Sequence, residues 1–252
     1  MNTESKKAAN SMSTLPRVFI IQTGTPPEPI REQHGDLPHW FCNALDIEPD
    51  RIEVVKVFEG AELPKPDAGS VAVITGSWDM VTDKLPWSEL TAEWIRHAIS
   101  AGMGLFGVCY GHQLIAYALG GIVDYHPDGR EVGCHDISLN QAGRDDPLVG
   151  QFPQRFKAHL THMQTVISLP PGAQVLASSA HDPHQIVRYG PKVLSTQFHP
   201  EFTRDVADSL IDIRTDVLRQ EGRDPAAIRR SLSDTVEARE LLPLFINMCV
   251  QK

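Results

Sequence analysis

Cys109 stands between two glycines in Gly107-Val108-Cys109-Tyr110-Gly111. The residues before it, from Gly104, read as a short buried strand. Those after it, to Leu119, read as an amphipathic helix ended by Gly120-Gly121. A nucleophile elbow needs this pattern: the reactive side chain sits on a sharp, strained strand-to-helix turn, and the glycines let the two elements approach. Such a turn lifts the sulfur out of the sheet. It places the sulfur at a helix N-terminus, where the dipole favours thiolate. It also frees the backbone N–H of Tyr110 to face a developing oxyanion. The ordinary alternative is a buried core cysteine; the flanking glycines, strand and helix argue against it.

A thiolate needs a base, and Gln197-Phe198-His199-Pro200-Glu201 supplies one. On an extended backbone, residues two apart share a face, so His199 and Glu201 emerge side by side at a strand end, with Pro200 preventing a helix. The carboxylate can accept one imidazole N–H, fix its tautomer and stabilise the cation, leaving the other nitrogen for Cys109. A lone His-x-Glu is a weak signal, because surface pairs of this kind arise by chance. Beside an elbow cysteine on one parallel sheet it becomes a strong one, since ligands of such sheets sit beyond the carboxyl ends of the strands. Gly76-Ser77 follows another strand end. It reads equally as an ordinary turn or as a second oxyanion donor through the Ser77 N–H.

Strands read over 17–22, 51–58, 70–75 and 104–108 alternate with helices over 36–45, 86–100 and 110–119, which predicts a mostly parallel sheet with helices on both faces. In the helix over 86–100, Trp87, Leu90, Trp94, Ile95 and Ala98 fall on one face. Beyond Gly121 shorter strands over 121–125, 132–139, 164–169, 174–178, 185–189 and 192–198 suggest hairpins. Helices over 204–220 and 224–250 close the chain, and their apolar residues either cover the sheet or form a dimer face. Residues 1–15 read as a disordered tail and 16–252 as a single α/β domain with a C-terminal helical extension over about 204–252.

Composition narrows the classes. The chain has 252 residues, 41% hydrophobic and 22% charged, as in an ordinary globular domain. A net charge of −9 argues against general nucleic-acid or anionic-membrane binding. Four separated cysteines, Cys42, Cys109, Cys134 and Cys249, suit a reducing cytoplasm and give no disulfide framework. No apolar run reaches membrane-spanning length, and the N-terminal stretch lacks a signal-peptide core. His126, Cys134 and His135 fit no closed zinc pattern, and no metal or cofactor is expected. His112, on the elbow helix, is expected to pack there and not to serve as the base.

Together these motifs resemble the class I (triad) glutamine amidotransferases, among them the glutaminase subunit of GMP synthase. The resemblance covers about residues 17–205 and implies a flavodoxin-like fold. It implies that Cys109, His199 and Glu201 form the triad, that Ser77 and Tyr110 supply the oxyanion hole, and that Gly76, Gln113 and the backbone at Thr161-His162 hold glutamine. Thr161-His162-Met163-Gln164 stands where that relative has Ser-His-Gly-Asp, and Thr75-Gly76-Ser77-Trp78 replaces a Gly-Gly-Pro turn. No Gly-rich phosphate loop of a synthetase domain is read, so a stand-alone protein is expected. The implied reaction is hydrolysis of glutamine through a γ-glutamyl thioester, with ammonia passing to a separate synthetase or acceptor subunit. A γ-glutamyl peptidase or hydrolase is the alternative, and a non-enzymatic regulatory module is a third reading against which an intact triad argues.

Overall fold

Continuous apolar strands are stable only where both of their faces are covered. In a computed structural model, which describes residues 16–45, 47 and 49–250, four of the strands meet that condition. In chain order the elements are β1 (Arg17–Gln22), α1 (Glu28–His34), α2 (Leu37–Leu45), β2 (Ile52–Lys56), β3 (Ser70–Ile74), α3 (Pro86–Ser100), β4 (Gly104–Val108) and α4 (Tyr110–Ala118). Then come β5 (Ile122–Tyr125), β6 (Glu131–Leu139), α5 (Gln141–Asp145), β7 (Arg155–His162), β8 (Gln164–Ser168), β9 (Gln174–Ser178), β10 (Ile186–Gly190) and β11 (Val193–Thr196). The helices α6 (Arg204–Ile213), α7 (Thr215–Gln220), α8 (Pro225–Ser231) and α9 (Val236–Val250) follow. The tail expected over 1–15 lies outside the described residues.

The main sheet has the order β2-β1-β3-β4-β11-β10-β9-β6-β7. Its first five strands run parallel, and the remaining four extend it antiparallel. A separate hairpin-like pair, β5 and β8, lies apart from it. Alternation along the strands separates two cores. Val18, Ile20, Val71, Val73, Phe106 and Val108 face α2 and α9. Phe19, Ile21, Ala72, Ile74 and Leu105 face α3 and α4. A third cluster joins α1 and α2 to the C-terminal helices through Ile30, Trp40, Phe202, Val206, Leu210 and Leu218. The C-terminal stretch therefore covers sheet, with Leu241, Leu242 and Phe245 of α9 fully buried. The doubly covered, flavodoxin-like α/β architecture is the one the sequence suggests.

Four local readings need correction. The strand β7 was not anticipated, because Arg155, Lys157, His159 and Thr161 make its sequence read as polar while Phe156, Ala158 and Leu160 alternate inward. Helix α1 occupies a stretch that reads as loop, its entry set by Pro27 and Pro29. Of the helices expected over 204–220 and 224–250, the first breaks at Arg214 and the second between Ser231 and Val236. Leu90, expected on the buried face of α3, is 62% exposed; it borders an open groove with Leu63 and Trp87 beside the buried Trp94.

Candidate active site

The elbow between β4 and α4 is built by exclusion. A Cβ on Gly107 would stand 2.5 Å from the Gly111 carbonyl oxygen, and one on Gly111 would stand 2.4 Å from that of Ile74. Neither distance is sterically allowed, so only glycine fits both positions. Cys109 itself adopts φ +50°, ψ −99°, a conformation that costs a non-glycine residue energy and persists only where its surroundings impose it. They impose it by hydrogen bonds: Cys109 N–H donates to the Thr196 carbonyl at 2.8 Å, and Gly111 N–H donates to that of Thr75 at 3.1 Å. The elbow is thereby tied to β11 on one side and to the end of β3 on the other.

His199 reaches the elbow from the loop that follows β11. Its backbone N–H donates to the His159 carbonyl at 2.9 Å, an isolated antiparallel bridge to β7, so the unanticipated strand is what holds the candidate base. Its Nδ1 lies 2.7 Å from Glu201 Oε1. Its Nε2 has no hydrogen-bond partner among the described residues. The Phe202 ring stacks on the imidazole at 4.0 Å and 12°. Gly76 closes the opposite side: a Cβ there would lie 3.1 Å from His199 Cε1 and 3.7 Å from Cys109 Cβ. Glycine at position 76 thus lets the turn after β3 come up against both side chains. Burial opposes a charge on the imidazole, but the negative charges of Glu201 and then Cys109 outweigh it and push the His199 pKa up to about 10.

The Gly76-Ser77 turn is pinned from β1. Thr23 Oγ1 donates to the Gly76 carbonyl at 2.8 Å, and Thr23 N–H donates to Thr75 Oγ1 at 3.1 Å. Ser77 Oγ donates to the Thr23 carbonyl at 2.7 Å and accepts from Asp79 N–H at 3.1 Å. The Ser77 hydroxyl is therefore occupied, and its backbone N–H is the group left over. Among the described residues neither that N–H nor the Tyr110 N–H finds a protein acceptor. The Tyr110 side chain points away, its hydroxyl 2.6 Å from Ser88 Oγ.

Gln113 Nε2 is held by the Gln164 carbonyl at 2.7 Å and by Gln197 Oε1 at 3.0 Å. The amide therefore joins the elbow helix to β8 and to the segment carrying His199. Thr161, next to last in β7, accepts a 2.8 Å hydrogen bond from Arg214 Nη1. The His162 side chain turns into a buried network, 2.9 Å from Glu131 Oε2. Glu131 also accepts from Ser179 Oγ at 2.6 Å and Gln185 Nε2 at 2.8 Å. Burial raises the pKa of Glu131, but His162 and Ser179 lower it by more. His112 lies inside the protein, 2.7 Å from Ser195 Oγ. Burial, the largest influence, lowers its pKa to about 3, so it stays neutral and structural, in keeping with its expected role. Among the described residues no group of three or more His, Cys, Asp or Glu side chains is placed to hold a metal ion, and His126 stacks on His181 at 4.0 Å.

The family model described as glutamine amidotransferase class-I matches residues 53–212. The chain belongs to the class-I glutamine amidotransferase family. A glutamine amidotransferase-like protein of Salmonella typhimurium is 32% identical over 170 residues, which are 67% of this chain and 64% of that protein. A GMP synthase [glutamine-hydrolyzing] of Thermomicrobium roseum is 34% identical over 45% of this chain, but the match spans 20% of that protein. Gamma-glutamyl peptidase 4 of Arabidopsis thaliana is 26% identical over 77% of this chain and 79% of its own length. The crystal structure of a glutamine amidotransferase from Thermotoga maritima shares the fold, with a TM-score of 0.73 over 94% of this chain and 99% of that one at 20% identity. The chain thus spans just under two thirds of the Salmonella protein and a fifth of the synthase.

Within this class-I amidotransferase fold the structure brings Cys109, His199, Glu201, Gly76, Ser77 and Tyr110 to one place. Gln113 and Thr161 border it through the 161–164 segment, and the His162 side chain faces elsewhere. Sequence reasoning missed His159, whose carbonyl holds His199, and Arg214, which reaches Thr161. The alternation of Phe156, Ala158 and Leu160 would have found the first. No local signal marks the second.

Proposed function

We propose that this protein is a cysteine-dependent amidohydrolase that cleaves the side-chain amide of glutamine. The observation that carries the reading is the His199 ring, bound at Nδ1 by Glu201 at 2.7 Å and left without a partner at Nε2, beside the strained Cys109 elbow. In the reaction the Cys109 sulfur attacks the glutamine Cδ, and the carbonyl electrons move to oxygen. The oxyanion is held by the N–H groups of Ser77 and Tyr110. As the tetrahedral species collapses, the C–N bond breaks and His199 passes its proton to the leaving ammonia. Water, deprotonated by His199, then attacks the γ-glutamyl thioester; the C–S bond breaks, glutamate leaves, and the thiol is restored. Gln113 and the backbone at Thr161-His162 hold the α-amino and α-carboxylate groups, and Gly76 keeps the turn close enough to act. The ammonia goes to an acceptor, and the similarity to part of a GMP synthase favours a synthetase as the unit that uses it.

A second reading is favoured by one observation. The similarity to a plant γ-glutamyl peptidase runs along most of both chains, unlike that to GMP synthase. The same chemistry would then release an amine or peptide from a γ-glutamyl conjugate. The test is release of ammonia, amine or peptide by the purified chain from glutamine and from γ-glutamyl peptides, with Cys109→Ala as blank. Faster turnover of glutamine supports the first reading and faster turnover of conjugates the second. Turnover by Cys109→Ala equal to wild type overturns both.

A further inference from the structure

The last residue of β7 and the first of β6 stand opposite each other in antiparallel register, His162 against Glu131, so their side chains share one face. Both are buried, 4% and 3% exposed. His162 Nε2 lies 2.9 Å from Glu131 Oε2, and its Nδ1 lies 3.0 Å from the Gln164 carbonyl oxygen. A carbonyl can only accept, so Nδ1 carries a proton. At Nε2 the surroundings of the carboxylate decide which partner donates. Ser179 Oγ lies 2.6 Å from Glu131 Oε1 and accepts from the N–H groups of His181 and Asp182 at 3.2 and 2.9 Å, which leaves its own hydrogen for the carboxylate. Gln185 Nε2 donates to Oε2 at 2.8 Å. A carboxylate that accepts from neighbours at both oxygens is held ionised, so the proton between the pair belongs to Nε2. Both ring nitrogens are then N–H donors, which only an imidazolium provides. A buried imidazolium is tolerated where a carboxylate pairs with it and the remaining donors and acceptors are satisfied. The other titratable groups at this network are His135, whose charge also acts on Glu131, and Asp182, whose carboxylate accepts from Thr165 Oγ1. Arg130 Nη2 lies 3.0 Å from Met163 Sδ, and His112 is kept neutral by burial.

The pair sits where the chain changes sheets. β7 belongs to the main sheet and β8 to the separate pair with β5. Among the described residues no strand pairing joins the two across Met163, and the His162 ring spans that corner. Gln113 Nε2 donates to the same Gln164 carbonyl at 2.7 Å and to Gln197 Oε1 at 3.0 Å. Its amide therefore cannot turn over, and Oε1 is the atom it keeps for a ligand. We propose that Glu131 and His162 are positioning residues of the Cys109 site. In this buried carboxylate–imidazolium pair, His162 fixes the Gln164 carbonyl, and through it Gln113 and the 161–164 segment, in the arrangement that receives the α-amino and α-carboxylate groups of a γ-glutamyl compound. The proposal rests on the hydrolytic reading of that site.

The experiment is NMR of the full chain with isotope-labelled histidine nitrogens, His162 being assigned by the signals lost in His162→Asn. At about pH 8, where an unperturbed imidazole of pKa about 6.5 is neutral, both ring nitrogens of His162 should be protonated in wild type. In Glu131→Gln, whose amide can donate to a bare Nε2, only Nδ1 should be. A neutral His162 in wild type overturns the proposal. Kinetics read the positional part. Glu131→Gln keeps the volume and a bond to His162 and removes the charge. It should raise KM for glutamine and for γ-glutamylglycine roughly fivefold with kcat little changed, because the α-groups are bound alike in ground and transition states. Arg188→Gln, which breaks the ion pair with Asp146 at 2.9 Å, should lower stability and leave KM unchanged, which separates positioning from lost stability. Unchanged KM in Glu131→Gln overturns the positional role. A further readout does not need turnover: the side-chain NH2 signals of Gln113, assigned with Gln113→Glu, should move in Glu131→Gln, and unmoved signals would disconnect the pair from the site. A doubly protonated His162 with coupled Gln113 signals, in a chain that turns over no γ-glutamyl compound, would sink the hydrolytic reading and keep the pair. Turnover with KM, ring protonation and Gln113 signals all unaltered in Glu131→Gln would do the reverse.

Discussion

His199 is under two opposing influences, and their balance sets its charge. Burial works against the imidazolium; Glu201 and Cys109 work for it and prevail, holding the pKa near 10. Glu201→Gln removes the larger of the two raising charges and leaves the burial in place, so the titration midpoint of His199 should fall by more than two units. The NMR shift of its Cε1 proton against pH reads this directly, and an unmoved midpoint would refute the balance. The same shift has a consequence for stability. A group whose folded pKa lies above its unfolded value of about 6.5 contributes its full stabilisation below that pH and loses it as pH rises through about 10. Wild type should lose stability across that window, and Glu201→Gln should show a flatter alkaline limb in denaturant titrations at pH 6 to 10. Cys109 adds a separate cost, its φ of +50°. A glycine there relieves the strain and an alanine retains it, so Cys109→Gly should be the more stable variant by about 1 kcal/mol, with both inactive and the folded state kept. Equal melting temperatures would argue that the elbow is not strained. His199→Ala should lose more activity than Glu201→Gln, because the imidazole moves the proton and the carboxylate orients it.

At the scale of elements, the site is a meeting of four strand ends, and each is fixed by a different device. The elbow depends on two glycines without space for a Cβ. In Gly111→Ala the added carbon would lie 2.4 Å from a backbone oxygen of β3, which cannot move without displacing that strand, so a loss of about 3 kcal/mol is expected, measured by urea denaturation. The turn after β3 depends on Thr23. Thr23→Val removes the hydroxyl that reaches the Gly76 carbonyl at 2.8 Å while preserving shape. It should lower kcat more than it raises KM, because the Ser77 N–H acts only on the developing oxyanion; equal changes in the two would place Thr23 in substrate binding. The elbow and the His199 segment were legible in the sequence because apolar runs, glycines and a proline mark them locally. What holds His199 was not: β7 presents Lys157 and His159 among its apolar residues, and its role depends on a pairing 40 residues distant, His159 with His199. Arg214 was illegible for a different reason. The apolar period of Leu210, Ile213 and Val217 continues across the break, so nothing in the sequence announces that the helix stops and a guanidinium turns toward Thr161. The substrate segment was legible only in part. His162 was expected beside the substrate through its backbone, and the burial of its side chain with Glu131 depends on Ser179 and Gln185, which no local pattern connects to it.

Over the whole molecule, the two faces of the sheet are covered from different parts of the chain. One face is covered by α3 and α4, which follow their strands directly. The other relies on α2 and on the last helix, so the core is not closed until the C-terminus has returned. Phe245 of α9 is fully buried and meets Phe106 of β4 edge-on at 5.1 Å, two residues along the strand from Val108 and the elbow. Arg239 of the same helix donates to the Glu201 carbonyl at 3.3 Å. A helix that fills the core under the elbow strand and also touches the triad segment cannot come away while the rest remains native. We therefore expect the described residues to unfold as one cooperative unit, with the C-terminal helices inside it and not as a separable extension. Phe245→Ala should cost about 3 to 5 kcal/mol through the cavity it leaves, shifting the denaturation midpoint without splitting the transition. The check is to follow urea unfolding by tryptophan fluorescence, which reports Trp40, Trp78, Trp87 and Trp94, and by the alkylation of Cys249, which reports α9. If Cys249 becomes reactive well before the fluorescence changes, α9 is a detachable cover and the single-unit reading fails. If the two curves coincide in wild type and in Phe245→Ala, the elbow strand and the last helix share one stability, and a lesion at either end of the chain reaches the cysteine.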